Sequence, residues 1–176
     1  MTTPVDEYIN GQVLLSFREF IKKKHGQGGL DQLDKALDFN FRDVVDEGQY
    51  PAAYAVDCMN FIQTAYGADA LFQAGRFSLQ NIGAKRYFTI FLPPKTLLDK
   101  LAESVPKVNN SVKLNIEYQD SGAVVTLSNR NLKEVQCKYW HGMLQGVFDL
   151  TKTKGSIEVN IARVSKEGKA VYTMKW

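Results

Sequence analysis

The sequence is poor in the residues that build covalent and metal-bound sites. Its 176 residues include two cysteines, two histidines and five prolines. Cys58 and Cys137 do not form a Cys-x-x-Cys spacing, and the N-terminus lacks the basic and apolar regions of a signal peptide. We therefore expect two reduced thiols in a cytoplasmic protein.

Long apolar runs and a large charge imbalance are also missing. No apolar run approaches the roughly 20 residues that cross a bilayer, so we expect no transmembrane segment. The formal net charge is +3, and the basic residues are spread apart except for Lys22–Lys24. The sequence therefore does not indicate nucleic-acid binding.

Catalytic motifs are absent as well. The sequence has no glycine-rich phosphate loop, no Gly-x-Ser-x-Gly elbow and no His-Glu-x-x-His pair. We therefore expect a binding or regulatory protein and no enzyme, with no catalytic residue to assign.

The first two thirds of the chain have the apolar periodicity of helices. The spacing predicts helices over 5–24, 30–38, 51–66, 69–83 and 95–105. Glycines after His25 are expected to end the first helix. The small residues Ala74 and Gly75 are expected to let a neighbouring helix approach closely. The aromatic run 86–92 fits either a helix or a strand, and Pro93 ends it.

The last third reads as two hairpins separated by a helix. The strands are predicted over 112–119, 123–129, 156–164 and 170–176, and the helix over 137–150. We expect an α+β fold in which N-terminal helices pack on a four-stranded antiparallel sheet, formed by the two C-terminal hairpins with the intervening helix. The chain is predicted to be a single domain, 1–176, with a helical segment over 1–49 and a core over 50–176.

Aromatic residues are numerous on segments 71–92 and 137–150. They can form plain core, or they can line an apolar ligand pocket between helices and sheet, and the sequence leaves both open. The candidate ligand-binding residues are Phe72, Phe77, Tyr87, Phe88, Phe91, Tyr139, Trp140 and His141. His141 could ligate a metal or haem iron, but no second ligand stands three or four residues further on, which favours a structural histidine.

Several segments follow the order found in one known family. A helix ends in AYG and the next carries AGRFSLQNIG; the hairpin VKLNIEYQDSGAVVTLSN precedes CKYWHGMLQGVFDLT, and SIEVNIARVSKEGKAVYTMKW closes the chain. On these segments, residues 52–176 resemble the 4-vinyl reductase domain family. Its superfamily also holds haem–nitric-oxide-binding domains and subunits of the TRAPP tethering complex.

The resemblance carries expectations about metals and cofactors. Some family members have a zinc site that begins with a cysteine before the helix. Cys137 matches that cysteine, but the other positions hold Asn160, Arg163 and approximately Val171, so zinc is disfavoured and Cys137 is expected to be buried and structural. Haem-binding relatives carry a Tyr-x-Ser-x-Arg signature beside the haem, which is not found here. We therefore expect no cofactor, with haem disfavoured.

Three functions are compatible with the resemblance. The first is a cytoplasmic, non-enzymatic sensor that binds a small apolar molecule and works as a homodimer. The second is a TRAPP-like adaptor whose helices bind a partner protein. The third is a haem- or metal-dependent gas or redox sensor that uses His141.

Overall fold

The protein was analysed as a computed structural model, which describes residues 7–84 and 92–176. Within these residues the elements follow one another in this order: β1 (Tyr8–Asn10), α1 (Gly11–Ala36), a 3₁₀ turn (Phe41–Asp43), β2 (Gln49–Pro51), α2 (Ala53–Tyr66), α3 (Ala68–Ala84), α4 (Pro94–Val108), β3 (Lys113–Gln119), β4 (Gly122–Ser128), α5 (Glu134–Thr151), β5 (Ser156–Asn160), α6 (Val164–Glu167) and β6 (Lys169–Lys175). No helix of the described residues is long and apolar enough to cross a membrane.

The C-terminal sheet has the strand order β3-β4-β6-β5, and every neighbouring pair is antiparallel. The two hairpins meet through β4 and β6, where Val125 lies opposite Tyr172. Alternate residues of these central strands are fully buried, as expected for a sheet with one covered face. That face carries Ala123, Val125, Leu127, Ala170, Tyr172 and Met174. The predicted α+β fold with its four-stranded sheet is confirmed.

The N-terminal helix differs from the prediction at both ends. Residues 8–10 form a short strand paired with β2, and α1 begins after it, where the Asn10 side chain accepts a hydrogen bond from the Gln12 amide at 2.9 Å. The two predicted helices form one element with a kink at Gly26, whose φ of 66° suits glycine. Three-residue strands are too short to show a periodicity in the sequence.

Helices α3 and α5 cross at very short range because both carry glycine at the crossing. A Cβ atom on Gly75 would collide with the carbonyl oxygen of Tyr139, and one on Gly142 would collide with that of Phe72. The close approach predicted from Ala74 and Gly75 is therefore confirmed.

The second hairpin contains an extra turn of helix. The strand predicted over 156–164 ends at Asn160, whose side chain accepts a hydrogen bond from the Ala162 amide at 3.0 Å and bends the chain away from the sheet. Helix α6 follows, and Gly168, with φ of 61°, returns the chain to β6. The prediction extended this strand too far because it followed the β-rich composition alone.

Candidate functional site

A cavity of about 120 Å³ lies between α1, α2, α4 and α5. Most of its wall is aliphatic or aromatic, with a few amide and hydroxyl groups and one lysine. The described residues that line it are Ile9, Gln12, Val13, Ala52, Ala55, Met59, Leu79, Leu97, Lys100, Leu101, Ser104, Val105, Val108, Asn109, Ser111, Gln136, Tyr139, Trp140 and Met143. An apolar cavity with few polar groups is the usual setting of a small-molecule site.

Helix α4 forms one wall of the cavity and is attached to neighbouring strands at two places. Past its C-terminal end, the Tyr8 amide donates to the Asn110 side chain at 2.7 Å, and the Asn110 amide donates to the Tyr8 carbonyl at 3.2 Å. Towards its N-terminal end, the Tyr118 hydroxyl of β3 bonds the Asp99 carboxylate at 2.5 Å. The volume of the cavity therefore depends on how these contacts hold α4.

Tyr139 presents a buried hydroxyl without a hydrogen-bond partner among the described residues. The neighbouring hydroxyls of Ser16 and Ser78 bond each other at 2.9 Å, and Ser16 also donates to the Val13 carbonyl at 2.7 Å. Burial raises the pKa of Tyr139 to about 12, and the two serines oppose that rise only in part. Tyr139 is therefore a neutral phenol at physiological pH, with a proton that it can still donate.

The candidate residues chosen from the sequence occupy different parts of the structure. Tyr139 and Trp140 line the cavity, whereas Phe72, Phe77 and His141 do not. The rings of Phe72 and His141 pack edge to face with centres 4.9 Å apart, which joins α3 to α5. Burial, with a smaller contribution from Lys138, lowers the pKa of His141. Phe77 packs against Phe20 at 5.7 Å. Tyr87, Phe88 and Phe91 lie outside the described residues.

Sequence reasoning missed most of the cavity wall. Met59 and Leu101 stand on apolar helix faces that periodicity does predict, but periodicity cannot show which faces leave a gap between them. Lys100 and Gln136 belong to no motif and to no apolar periodicity. A search for polar residues next to predicted core positions would have found Lys100, which precedes the buried Leu101 on α4.

Cys137 is 2% exposed at the start of α5, and its burial is confirmed. Its thiol lies 3.4 Å from the Lys133 carbonyl oxygen, and burial raises the pKa of the thiol to about 11. The Tyr172 hydroxyl donates to the Cys137 carbonyl at 2.9 Å, which ties α5 to β6. Among the residues that the structure describes, no group of three or more His, Cys, Asp or Glu is placed to hold a metal ion.

No protein-family model and no curated protein matches the sequence. Solved structures do match. An H-NOX protein from S. oneidensis in the Fe(II)NO state has a TM-score of 0.76 at 12% identity, with 95% of this chain and 98% of that chain covered. H-NOX from Shewanella woodyi in the Fe(II)CO state has a TM-score of 0.68 at 14% identity, covering 94% and 93%. An H-NOX structure from work on haem distortion has a TM-score of 0.75 at 12% identity, covering 96% and 95%.

The chain has the H-NOX fold. Identities this low show the fold alone. This fold is the one expected from the haem–nitric-oxide-binding part of the resemblance, while the 4-vinyl reductase and TRAPP parts stay predictions.

The expectation of no cofactor is contradicted by these structures, because the matched H-NOX proteins contain haem iron. The expectation depended on a single short spacing, whereas the fold follows from the order of helices and hairpins over the whole chain. The Tyr-x-Ser-x-Arg spacing is also partly present in this chain. Ser128 and Arg130 stand two residues apart at the end of β4, as in the signature, and Thr126 takes the place of its tyrosine.

Proposed function

We propose that this chain is a non-enzymatic sensor domain that holds haem in the cavity between α1, α2, α4 and α5. One observation carries the proposal: an apolar cavity stands between helices in a fold that matches haem-containing H-NOX proteins over about 95% of the chain. When bound, haem would supply an iron centre for a diatomic gas. The chain's own residues would bind the group and exclude water.

The residues of the cavity suit a porphyrin in their chemistry. The wall is mostly aliphatic and aromatic, which matches the apolar body of the macrocycle. Methionine and tyrosine both occur as axial ligands of haem iron, and Met59, Met143 and Tyr139 line the cavity. No histidine is among the described lining residues, so a thioether or a phenol would hold the iron.

Met59 and Met143 would be the residues better suited to hold the iron. Tyrosine binds iron as the phenolate, and the pKa of Tyr139 is raised to about 12 by burial, so its deprotonation is strongly opposed at neutral pH. Its hydroxyl lies beside Ser16 and Ser78, which do not line the cavity, so Tyr139 is not a candidate to bind the iron.

The cavity has to widen before it can hold a porphyrin. The cavity of about 120 Å³ is smaller than the roughly 300–1,000 Å³ of ordinary ligand pockets. A porphyrin therefore requires α4 to move away from α1 and α5. The attachments of α4 to β1 and β3 would be the contacts that such a movement strains.

Titration with haemin followed by reduction tests the proposal. We expect a Soret band that saturates at one haem per chain. Met59→Leu or Met143→Leu should shift this band or weaken binding by at least about tenfold. Met174→Leu is the matched control, because Met174 is fully buried in β6 and does not line the cavity. A protein that gives only the spectrum of free haemin would contradict the proposal.

The volume of the cavity favours a second candidate within the same sensor function. An engineered cavity of about 150 Å³ in another protein binds benzene and xenon, and the cavity found here is close to that size. If the cavity binds a small apolar molecule directly, added benzene should raise the midpoint of thermal unfolding. Added haemin should then give no Soret band of bound haem.

The proposal also includes the oligomeric state of the protein and its place in the cell. A homodimer, and helices that contact a partner protein, are typical arrangements for sensor domains of this resemblance. Sedimentation equilibrium tests the dimer directly, and a monomer at all concentrations would exclude it. A cytoplasmic location stays a prediction from the sequence.

A further inference from the structure

The C-terminal sheet has one face whose side chains are exposed or half-buried. The buried side chains of β4 and β6 point to the opposite face, where the Tyr172 hydroxyl bonds the backbone of α5. The accessible face, here called the outer face, carries alternate residues of each strand. These are the residues from 113 to 119 in β3, 124 to 128 in β4, 156 to 160 in β5 and 169 to 175 in β6.

Charges on the outer face lie in two rows that run across the strands. The cationic row contains Lys113 of β3 and Lys169 of β6, on either side of Ser128. The anionic row contains Glu117 of β3 and Glu158 of β5. An uncharged row lies between them. Four residues along a strand span about 13 Å, so the two charged rows are too far apart to form ion pairs within one chain.

These charges are weakly engaged within the chain. Lys113 and Glu158 form no ion pair among the described residues. The Lys169 ammonium lies 3.5 Å from the Glu167 carboxylate, and Asn115 donates a hydrogen bond to Glu117 at 3.1 Å. Both contacts are exposed to solvent, where such contacts contribute little free energy. The charged rows can therefore still pair with charges on another molecule.

A two-fold axis along the uncharged row makes the outer face complementary to itself. This axis reverses the strand direction in the second copy and leaves each strand opposite itself. Lys113 then faces Glu117 of the second copy, and Lys169 comes within one strand spacing of Glu158 of the second copy. An axis parallel to the strands would instead set Glu117 opposite Glu158, and an axis along the anionic row would set each glutamate opposite itself. Both alternatives are repulsive.

From this complementarity we infer that two copies of the chain associate through their outer faces, with the two-fold axis along the uncharged row. The inference rests on the homodimer included in the proposed function and adds the surface that forms it. Val124 and Val171 supply apolar contacts at the centre, as in other pairs of sheets packed face to face. The face measures about 20 Å in each direction, which is near the lower limit of specific interfaces. We therefore expect a weak dimer that salt dissociates.

Charge reversals in the full chain test the inference. Lys113→Glu and Glu117→Lys each set like charges opposite one another at two symmetric positions, so each should weaken the dimer at least about tenfold. Both reversals in one chain exchange the two signs and should restore most of the wild-type affinity. Lys24→Glu is the matched control, because Lys24 is exposed on α1 and lies outside the sheet. Sedimentation equilibrium at low salt measures the dissociation constant of each protein.

A mixture of the two single variants tests the direction of the axis. Lys113→Glu has glutamate at both positions, and Glu117→Lys has lysine at both, so each variant repels itself. An equimolar mixture sets opposite charges against each other and should form a dimer at concentrations where each variant alone is a monomer. Circular dichroism confirms that each variant is folded before association is compared.

The outcomes separate this inference from the function on which it rests. A wild-type dimer that neither reversal weakens, or that Lys24→Glu weakens equally, overturns the inference and leaves the homodimer in place through another surface. Failure of both the double variant and the mixture to associate overturns the two-fold arrangement. A wild-type monomer at all concentrations overturns the homodimer and this inference together. Haemin titration of the same samples separates each of these results from the haem-binding part of the proposed function.

Discussion

The hydroxyl of Tyr118 on β3 donates a hydrogen bond of 2.5 Å to the carboxylate of Asp99 on α4. The same hydroxyl lies 3.2 Å from the Lys95 carbonyl oxygen, and the Lys95 ammonium stands 4.8 Å from the centre of the tyrosine ring. One side chain of the sheet thus makes three contacts with the helix that walls the cavity. The position of α4, and with it the volume available to a ligand, is coupled to the edge of the sheet.

Replacing Tyr118 by phenylalanine should loosen α4 at a small cost in stability. The bond involves a charged acceptor, but Tyr118 is 36% exposed, so we expect a loss of about 1 kcal/mol in the free energy of unfolding. Urea titration measures it. Tyr54→Phe is the control, because the Tyr54 ring stacks on Phe39 and its hydroxyl has no hydrogen bond within the described residues. An equal loss in both variants would show that the Asp99 contact contributes nothing.

The same contact predicts a pH dependence at the alkaline side. Burial, and then the bond to Asp99, raises the pKa of Tyr118 above its ordinary value near 10. The unfolded chain therefore loses this proton first, and the stability contributed by the neutral hydroxyl is present below pH 10 and falls as the pH rises above it. Between pH 10 and 11, unfolding free energy should fall less steeply in Tyr118→Phe than in the wild type. Identical slopes would contradict this prediction.

Gly75→Ala should be strongly destabilising because the added methyl group meets the Tyr139 backbone. Neither backbone can move without separating α3 from α5, so we expect a loss of about 3 kcal/mol or more. Gly28→Ala is the matched control, since a Cβ there meets nothing within 4 Å. On helix α1 that change should increase stability by about 0.5–1 kcal/mol. Urea unfolding of both variants measures these changes in the free energy of unfolding. A mild effect of Gly75→Ala would show that α3 and α5 are farther apart at their crossing than the structure indicates.

These glycines also show how far the sequence could predict the structure. Small residues at Ala74 and Gly75 predicted a close helix approach, and alternating β-rich runs predicted the four-stranded sheet, because both signals are local. The backbone that meets Gly75 is that of Tyr139, far along the chain. Only the folded topology brings the two together.

The candidate site was harder to predict than the fold for the same reason. Aromatic content pointed to Tyr139 and Trp140, which do line the cavity. It also pointed to Phe72 and His141, which pack against each other outside it. A cavity is a gap left between the faces of several helices. A sequence pattern describes one face at a time.

His141 should make the protein less stable in mild acid. Burial, and more weakly Lys138, lowers the pKa of its imidazole. As the pH falls below about 6.5, the unfolded chain takes up a proton that the folded chain resists, so the free energy of unfolding decreases. His141→Gln should flatten this dependence between pH 7 and 5, measured by urea titration at each pH. His25→Gln is the matched control variant. If it flattened the pH dependence of the free energy of unfolding as much as His141→Gln, His141 would not be the cause of that dependence.

The Cys137 thiol should react slowly with thiol reagents, and its burial should contribute to stability. Its pKa is raised to about 11 by burial, so the reactive thiolate is scarce at neutral pH. We expect that a disulfide reagent does not modify Cys137 or the fully buried Cys58 in the folded protein. In urea, where the chain is unfolded, the reagent should modify both cysteines rapidly. Cys137→Ser should lower the free energy of unfolding by about 1–3 kcal/mol, because a hydroxyl replaces an apolar thiol in the core. Rapid labelling of folded wild-type protein that disappears in Cys137→Ser would instead show that the start of α5 opens to solvent.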